Sequence, residues 1–175
     1  KNELYQYLKT KGERQMTKVF VNENNELLMS LSAGMDRVVY ETTVNNQQST
    51  VNTPYLTVVW NNNKINTHLV GEYNYENVMA AITVGTYFNI DENLIIDAIE
   101  NYIPSNNRSQ FIKSEKNEIV MDAYNANPDG CKMALDVLNM MKGKKIVISS
   151  GMIELGDSSY KLNKDNERYL FSIQK

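Results

Sequence analysis

Residues 105–128 constrain this chain more than any other stretch. Pro104 closes a helical pattern, because proline disfavours helical geometry in the residue before it. Asn106-Asn107-Arg108-Ser109-Gln110 then follow, and an apolar run, Ile119-Val120-Met121, leads into Asp122-Ala123-Tyr124-Asn125-Ala126-Asn127-Pro128. Polar side chains at the carboxyl end of a buried strand are where open α/β sheets place ligand contacts. The stretch therefore reads as a joint between two folded units that also carries half of a nucleotide site.

The patterns on either side give the joint something to connect. Leu4, Tyr7 and Leu8 stand at helical spacing with no N-cap before them, so the chain is expected to begin inside an element. Val19-Phe20-Val21 predicts a short buried strand, residues 26–32 a short helix carrying Leu27, Leu28 and Leu31, and residues 37–40 a second strand. That rhythm points to a parallel α/β layer. Residues 43–53 are polar without apolar period and predict a surface loop. Residues 55–60 and 65–70, separated by an Asn-rich turn, predict an antiparallel hairpin that carries His68, the only histidine. No acid or cysteine stands at ligand spacing from it, so a place on the hairpin surface is expected.

Residues 74–88 form the clearest helical pattern, with Val78, Ala81, Ile82, Gly85 and Phe88 on one face. A second helix is expected over 92–102, turning Leu94, Ile95, Ala98, Ile99 and Tyr102 inward. Beyond the joint, residues 110–113 and 118–124 predict strands across a Ser-Glu-Lys-Asn turn. Residues 129–141 predict a helix capped by Asp129, with Met133, Val137, Leu138 and Met141 on its apolar face. Residues 144–149 carry Ile146-Val147-Ile148, the continuous apolar run of a parallel strand buried on both faces. A polar helix from about residue 158 follows. The fold class is α/β, and the second half reads as the opening β-α-β of a Rossmann-like sheet with too few residues to complete one.

Composition removes several function classes. A formal net charge of −3 gives no electrostatic footprint for nucleic acid. No apolar run approaches the roughly 20 residues of a membrane helix. Cys131 is the single cysteine, which rules out a disulfide or thiolate zinc cluster within the chain and points to a reducing cytoplasm. The 24 asparagines, about one residue in seven, mean that an Asn counts as a signal only inside a longer pattern.

Within those bounds a few residues can carry chemistry. Asp122, at a strand end, suits two hydrogen bonds from ribose hydroxyls, and Asn125 and Asn127 offer donors and acceptors beside it. The same residues also suit the shaping of a turn and the capping of a helix. Arg108 has the charged fork that pairs with phosphate, or is a linker arginine. Asn74 and Asn77, three apart at a helix start, both project near its N-terminus, where a polar ligand docks or an N-cap sits. Glu154 follows the apolar run and suits a cation or amine, or solvent. No Gly-Lys-Ser or Gly-Lys-Thr phosphate loop and no paired His/Glu metal set occurs in the sequence.

Taken together, four ordered segments resemble the Mur ligases, ATP-dependent amide-forming enzymes of peptidoglycan synthesis. They are Thr67-His68-Leu69-Val70-Gly71-Glu72-Tyr73-Asn74-Tyr75-Glu76-Asn77-Val78-Met79-Ala80-Ala81, then residues 106–110, 122–128 and 151–156. The resemblance runs from Lys1, weakens after about Asn163, and lies nearest the branch that adds D-Ala-D-Ala to UDP-MurNAc-tripeptide. It implies that residues 1–104 are the C-terminal portion of a central ATP-binding domain, and residues 105–175 the N-terminal portion of a Rossmann-like C-terminal domain.

By that likeness Asn74 and Asn77 would contact adenine, Arg108 would reach the nucleotide from the hinge, and Asp122 would hold the ribose. Asn125 would lie at the nucleotide edge, Asn127 toward the acceptor, and Glu154 would face the dipeptide. Lys1 falls where the family carries a carbamylated, magnesium-organising lysine. The cofactors implied are ATP and Mg2+, the reaction passes through an acyl phosphate, and a cytoplasmic monomer is expected. The loop before Met152 lacks the Asp that many relatives place there. Without the phosphate loop or the metal-binding His and Glu, the chain alone is expected to have no ligase activity. Another Mur-type amide ligase, or a non-catalytic nucleotide-binding module derived from one, remains open.

Overall fold

The computed structural model describes residues 18–42, 49–52, 54–105, 107–122 and 126–172. Lys1, Asn125 and the helical pattern of Leu4, Tyr7 and Leu8 lie outside the described residues. The first layer is β1 (Val19–Asn22), α1 (Glu26–Leu31) and β2 (Arg37–Tyr40), with β1 and β2 parallel as the strand–helix–strand rhythm predicts. Asn25 starts α1 by accepting the Leu28 amide at 3.0 Å, which satisfies one of the donors a helix start leaves open. Buried Val19 and Val21 pack under Leu28, Met29, Leu31 and Met35.

The second layer is an antiparallel sheet, β3 (Ser49–Asn52), β4 (Tyr55–Trp60) and β5 (Asn63–Val70), in the order β3-β4-β5. Asn61 and Asn62 turn the β4–β5 hairpin with φ of 48° and 64°. Two consecutive left-handed residues make the tight turn whose twist matches that of the strands, and Asn tolerates that conformation well. Residues 49–52 are a strand rather than the expected loop. Their polar composition carries no burial signal, and antiparallel pairing with β4 supplies the ladder instead.

The pairing of β4 with β5 is interrupted by a bulge between Tyr55 and Thr57. Buried Thr67 repairs the gap: its hydroxyl donates to the Leu56 carbonyl at 2.8 Å and accepts from the Leu69 amide at 3.1 Å.

On this sheet sit α2 (Tyr75–Tyr87) and α3 (Glu92–Glu100). Leu56, Val58 and Ile65 of the sheet form one core with Tyr75, Val78, Ile82, Ile95 and Ile99 of the helices. Each such side chain stabilises the fold by roughly 1.5–3 kcal/mol. Gly85 lets the helices close, since a Cβ there would lie 2.9 Å from Ile95. The buried faces are narrower than the periodicity predicts. Ala81, Phe88, Leu94 and Tyr102 are exposed, because α2 and α3 touch the sheet and each other along one stripe only. Asn22 joins the two layers by donating to the Glu76 carboxylate at 2.9 Å, and Phe20 meets Tyr87 edge to face.

Past Pro104, β6 (Gln110–Lys113) and β7 (Glu118–Met121) form an antiparallel hairpin, followed by α4 (Pro128–Met140) and α5 (Ser159–Ser172). Asn127, not Asp129, caps α4: its side chain accepts the Gly130 amide at 2.9 Å, with Pro128 in the first turn. Leu135, Val137 and Met141 are buried, while Met133 is 38% exposed.

The expected strand over 144–149 is not formed, and Ile146 and Ile148 are 82% and 95% exposed. An apolar run supplies propensity, but a strand exists only through a neighbour's hydrogen bonds, and no described strand lies beside this one. The β-α-β reading of the second half is therefore corrected to hairpin, helix, irregular segment and helix. Among the described residues no helix is long and apolar enough to cross a membrane.

Candidate functional site

The two halves meet where β5 ends. Gly71 leaves the strand at φ 86°, ψ 150°, a region in which L side chains are strained. It introduces a short 3-10 turn, Glu72–Asn74, that leads directly into α2. A Cβ at Gly71 would lie 2.5 Å from the Tyr73 ring and 2.9 Å from Val137 Cγ2 of α4, so a bare glycine lets the second half approach the first. Tyr55 adds a ring contact across the same boundary, edge to face with Phe111 of β6 at 5.5 Å, and meets His68 of its own sheet edge to face at 5.7 Å. His68 is exposed on β5, where the hairpin reading expects it.

Asn74 is buried, and its amide works within the fold. Nδ2 donates to the Val70 carbonyl at 2.8 Å, and Oδ1 accepts from Asn77 Nδ2 at 3.0 Å. Asn74 stands at the residue before α2 yet makes no side-chain cap, and it ties the end of β5 to the helix instead. Asn77 is the exposed member of the pair. The Tyr73 hydroxyl hydrogen-bonds with Ser109 Oγ in the joint. Ser109 is buried in the left-handed region at φ 50°, with Asn107 also left-handed at φ 57°. Buried non-glycine residues in that conformation cost on the order of 1–3 kcal/mol and persist only where the surroundings hold them.

The Ser109 amide donates to Asp122 Oδ1 at 3.2 Å, and the carboxylate is otherwise exposed at the end of β7. Burial pushes the Tyr73 phenol above its ordinary pKa, the hydroxyl of Ser109 opposes that, and the charge of Asp122 adds to the rise. The hydrogen bonds thus bring one predicted residue, Asp122, to Tyr73 and Ser109, while Asn74 and Asn77 form a separate pair at the start of α2. Arg108 is exposed and immediately precedes Ser109.

Asn127 is exposed five residues beyond Asp122 and spends its side-chain oxygen on the α4 cap. Glu154 is exposed at φ 62° in the segment between α4 and α5, and among the described residues no hydrogen bond links it to the joint. Asn163 organises that segment. Its Oδ1 accepts the Met152 amide at 2.7 Å, and its Nδ2 donates to the Met152 and Ser159 carbonyls at 3.0 and 2.9 Å.

Sequence reasoning missed Tyr73, Ser109 and Asn163 as organisers. Tyr73 and Ser109 stand inside segments already singled out, but their pairing spans 36 positions and leaves no local signal. Among the described residues no three of His, Cys, Asp or Glu gather to hold a metal ion. An exposed carboxylate at a strand end and a polar pair at a helix start do fit the base-and-sugar end of a nucleotide.

No family model matches the chain. Over 100 residues, 55% of the chain, it is 32% identical to the UDP-N-acetylmuramoyl-tripeptide–D-alanyl-D-alanine ligase of Bacillus subtilis strain 168. It is also 30% identical over 97 residues to the lipid II isoglutaminyl synthase subunit MurT of Staphylococcus aureus strain COL. Both matches span 22% of the relative's own length.

Among solved structures, a MurF from Acinetobacter baumannii superposes with a TM-score of 0.79 at 20% identity, over 97% of this chain and 38% of that one. The Thermotoga maritima MurF ligase, solved in complex with ADP, superposes with a TM-score of 0.72 at 15% identity, over 93% of this chain and 41% of that one. The α/β fold is that of part of a Mur ligase, and the sequence is similar to that of the Mur ligase family. Within that family its similarity runs to MurF in both sequence and structure.

Proposed function

We propose that this chain is part of an ATP-dependent ligase that adds D-Ala-D-Ala to UDP-MurNAc-tripeptide through an acyl phosphate, in the cytoplasm. The observation that carries the reading is the 32% identity to the UDP-N-acetylmuramoyl-tripeptide–D-alanyl-D-alanine ligase of Bacillus subtilis. In this reading residues 1–104 close a central ATP-binding domain and residues 105–175 open a C-terminal domain, with the joint between them facing the nucleotide. Asp122 would accept the ribose hydroxyls, Asn77 would meet the adenine with Asn74 holding it in place, and Arg108 would reach the phosphates. Asn125 would stand at the nucleotide edge. Asn127 and Glu154 would face the dipeptide, and Lys1 would act on the phosphate side.

ATP supplies the phosphoryl group that makes the tripeptide carboxylate electrophilic. The chain's own residues would contribute binding and orientation, which account for a large share of the barrier in such transfers. No step is assigned to a metal held by the described residues, and the sequence contains no Gly-Lys-Ser or Gly-Lys-Thr loop for a triphosphate. The chain by itself is therefore inactive as a ligase in this reading. Purified chain incubated with ATP, UDP-MurNAc-tripeptide and D-Ala-D-Ala should release no phosphate above background; sustained ATP-dependent release would refute that statement. The 30% identity to a MurT subunit favours a second reading, another Mur-type amide-forming enzyme. Embedding residues 1–175 in the complete gene product and comparing D-Ala-D-Ala with other amines as acceptors separates the two.

A further inference from the structure

We propose that Tyr73 is a positioning residue for Asp122, so that the first half of the chain aims the acid carried by the second. The proposal deepens the nucleotide reading above and rests on it only for what the acid would grip, the vicinal hydroxyls of a ribose. An exposed carboxylate at a strand end is free to rotate unless a donor fixes one oxygen. Here the donor is the Ser109 amide, at 3.2 Å from Asp122 Oδ1.

That amide points at Asp122 only because Ser109 is held in a left-handed conformation, at φ 50° and 7% exposed. Serine does not hold that conformation without support. The support is the Tyr73 hydroxyl on Ser109 Oγ. Tyr73 is itself fixed, since its ring lies over the bare backbone of Gly71 in the turn leading into α2. Burial and the charge of Asp122 raise the pKa of its phenol above the ordinary value, so both hydroxyls stay protonated at neutral pH and the bond between them persists. The path Gly71, Tyr73, Ser109, Asp122 crosses from one half to the other in two hydrogen bonds. Any nucleotide that binds through Asp122 would sense how the halves are docked.

The test uses the whole chain with two readouts. Hydrogen exchange of the Ser109 amide, followed by NMR, reports the bond to Asp122 without any ligand. Calorimetric titration with ADP and with 2′,3′-dideoxy-ADP reports the grip on the sugar hydroxyls. In Tyr73→Phe the Ser109 amide should exchange roughly tenfold faster. Its preference for ADP over the dideoxy analogue should fall to that of Asp122→Ala, while affinity for the analogue itself is unchanged. Ser109→Ala, which deletes the hydroxyl but keeps the amide, should repeat both effects and serves where Tyr73→Phe does not fold.

Unchanged Ser109 exchange in a folded variant overturns the proposal, as does faster exchange with the ADP preference fully retained. Faster exchange in both variants, with no preference for ADP even in the unmodified chain, supports the hold of Tyr73 on Asp122 and overturns the ribose reading instead.

Discussion

Gly71→Ala gives the sharpest test of how the two halves are joined. At φ 86° and ψ 150° the backbone occupies a region open almost only to glycine, which an L side chain enters at a cost of about 1–3 kcal/mol. The added methyl would also stand 2.5 Å from the Tyr73 ring and 2.9 Å from Val137 Cγ2. Forcing a methyl into such a space costs roughly another 1–3 kcal/mol. The sum, on the order of 2–6 kcal/mol, is a large share of the 5–15 kcal/mol typical of a folded domain. At roughly 2–4 °C per kcal/mol for a chain of this size, the melting temperature should fall by at least about 4 °C. Thermal and urea unfolding followed by circular dichroism measure it.

The reasoning makes a second demand, because part of the cost comes from α4. In a Val137→Ala background, which removes that methyl, Gly71→Ala should cost about 1 kcal/mol less than in the parent. A variant within about 0.5 kcal/mol of the parent, or a cycle with no coupling, would refute the close approach of α4 to the turn.

Three further outcomes are expected. Thr67→Val, nearly isosteric, should destabilise by about 1–3 kcal/mol, since it leaves a buried carbonyl and amide at the bulge without their shared partner; urea midpoints against the parent decide it. Asn127→Ala should cost about 1 kcal/mol by uncapping α4, whereas Asn127→Asp, which keeps the accepting oxygen, should cost much less; equal losses would argue against a capping role. Tyr73 has its pKa raised in the folded state, so its contribution is full below the unfolded value and is lost as pH rises through the folded one. Stability should therefore drop more steeply above about pH 10 in the parent than in Tyr73→Phe, measured by urea unfolding between roughly pH 9 and 11.

How far the sequence could be read depended on the range of the interaction. The parallel β1-α1-β2 layer, the Asn61–Asn62 hairpin and the helix pair α2 and α3 follow from signals within a few residues, apolar period and turn chemistry. Residues 49–52 and 144–149 failed in opposite directions for one reason. A polar segment became a strand because β4 lay alongside, and an apolar one stayed irregular, with Ile146 and Ile148 exposed, because no described strand did. Cap identity failed on a smaller scale, since Asp129 and Asn127 both suit an N-cap and the geometry of Pro128 selects the latter.

The same division holds at the joint. Asp122, Arg108 and the Asn74–Asn77 pair were visible as residue types in an ordered pattern, and that pattern carried the likeness to the Mur ligases. Sequence alone determined most of the local elements and which polar side chains stand at their ends, because those are local matters of period, proline and composition. Tertiary structure alone decided that Asn74 turns its amide inward, that Gly71 must be bare to admit Val137, and that Tyr73 reaches Ser109 beside Asp122. Such contacts join residues far apart in the chain, and their geometry is set by how the two halves pack.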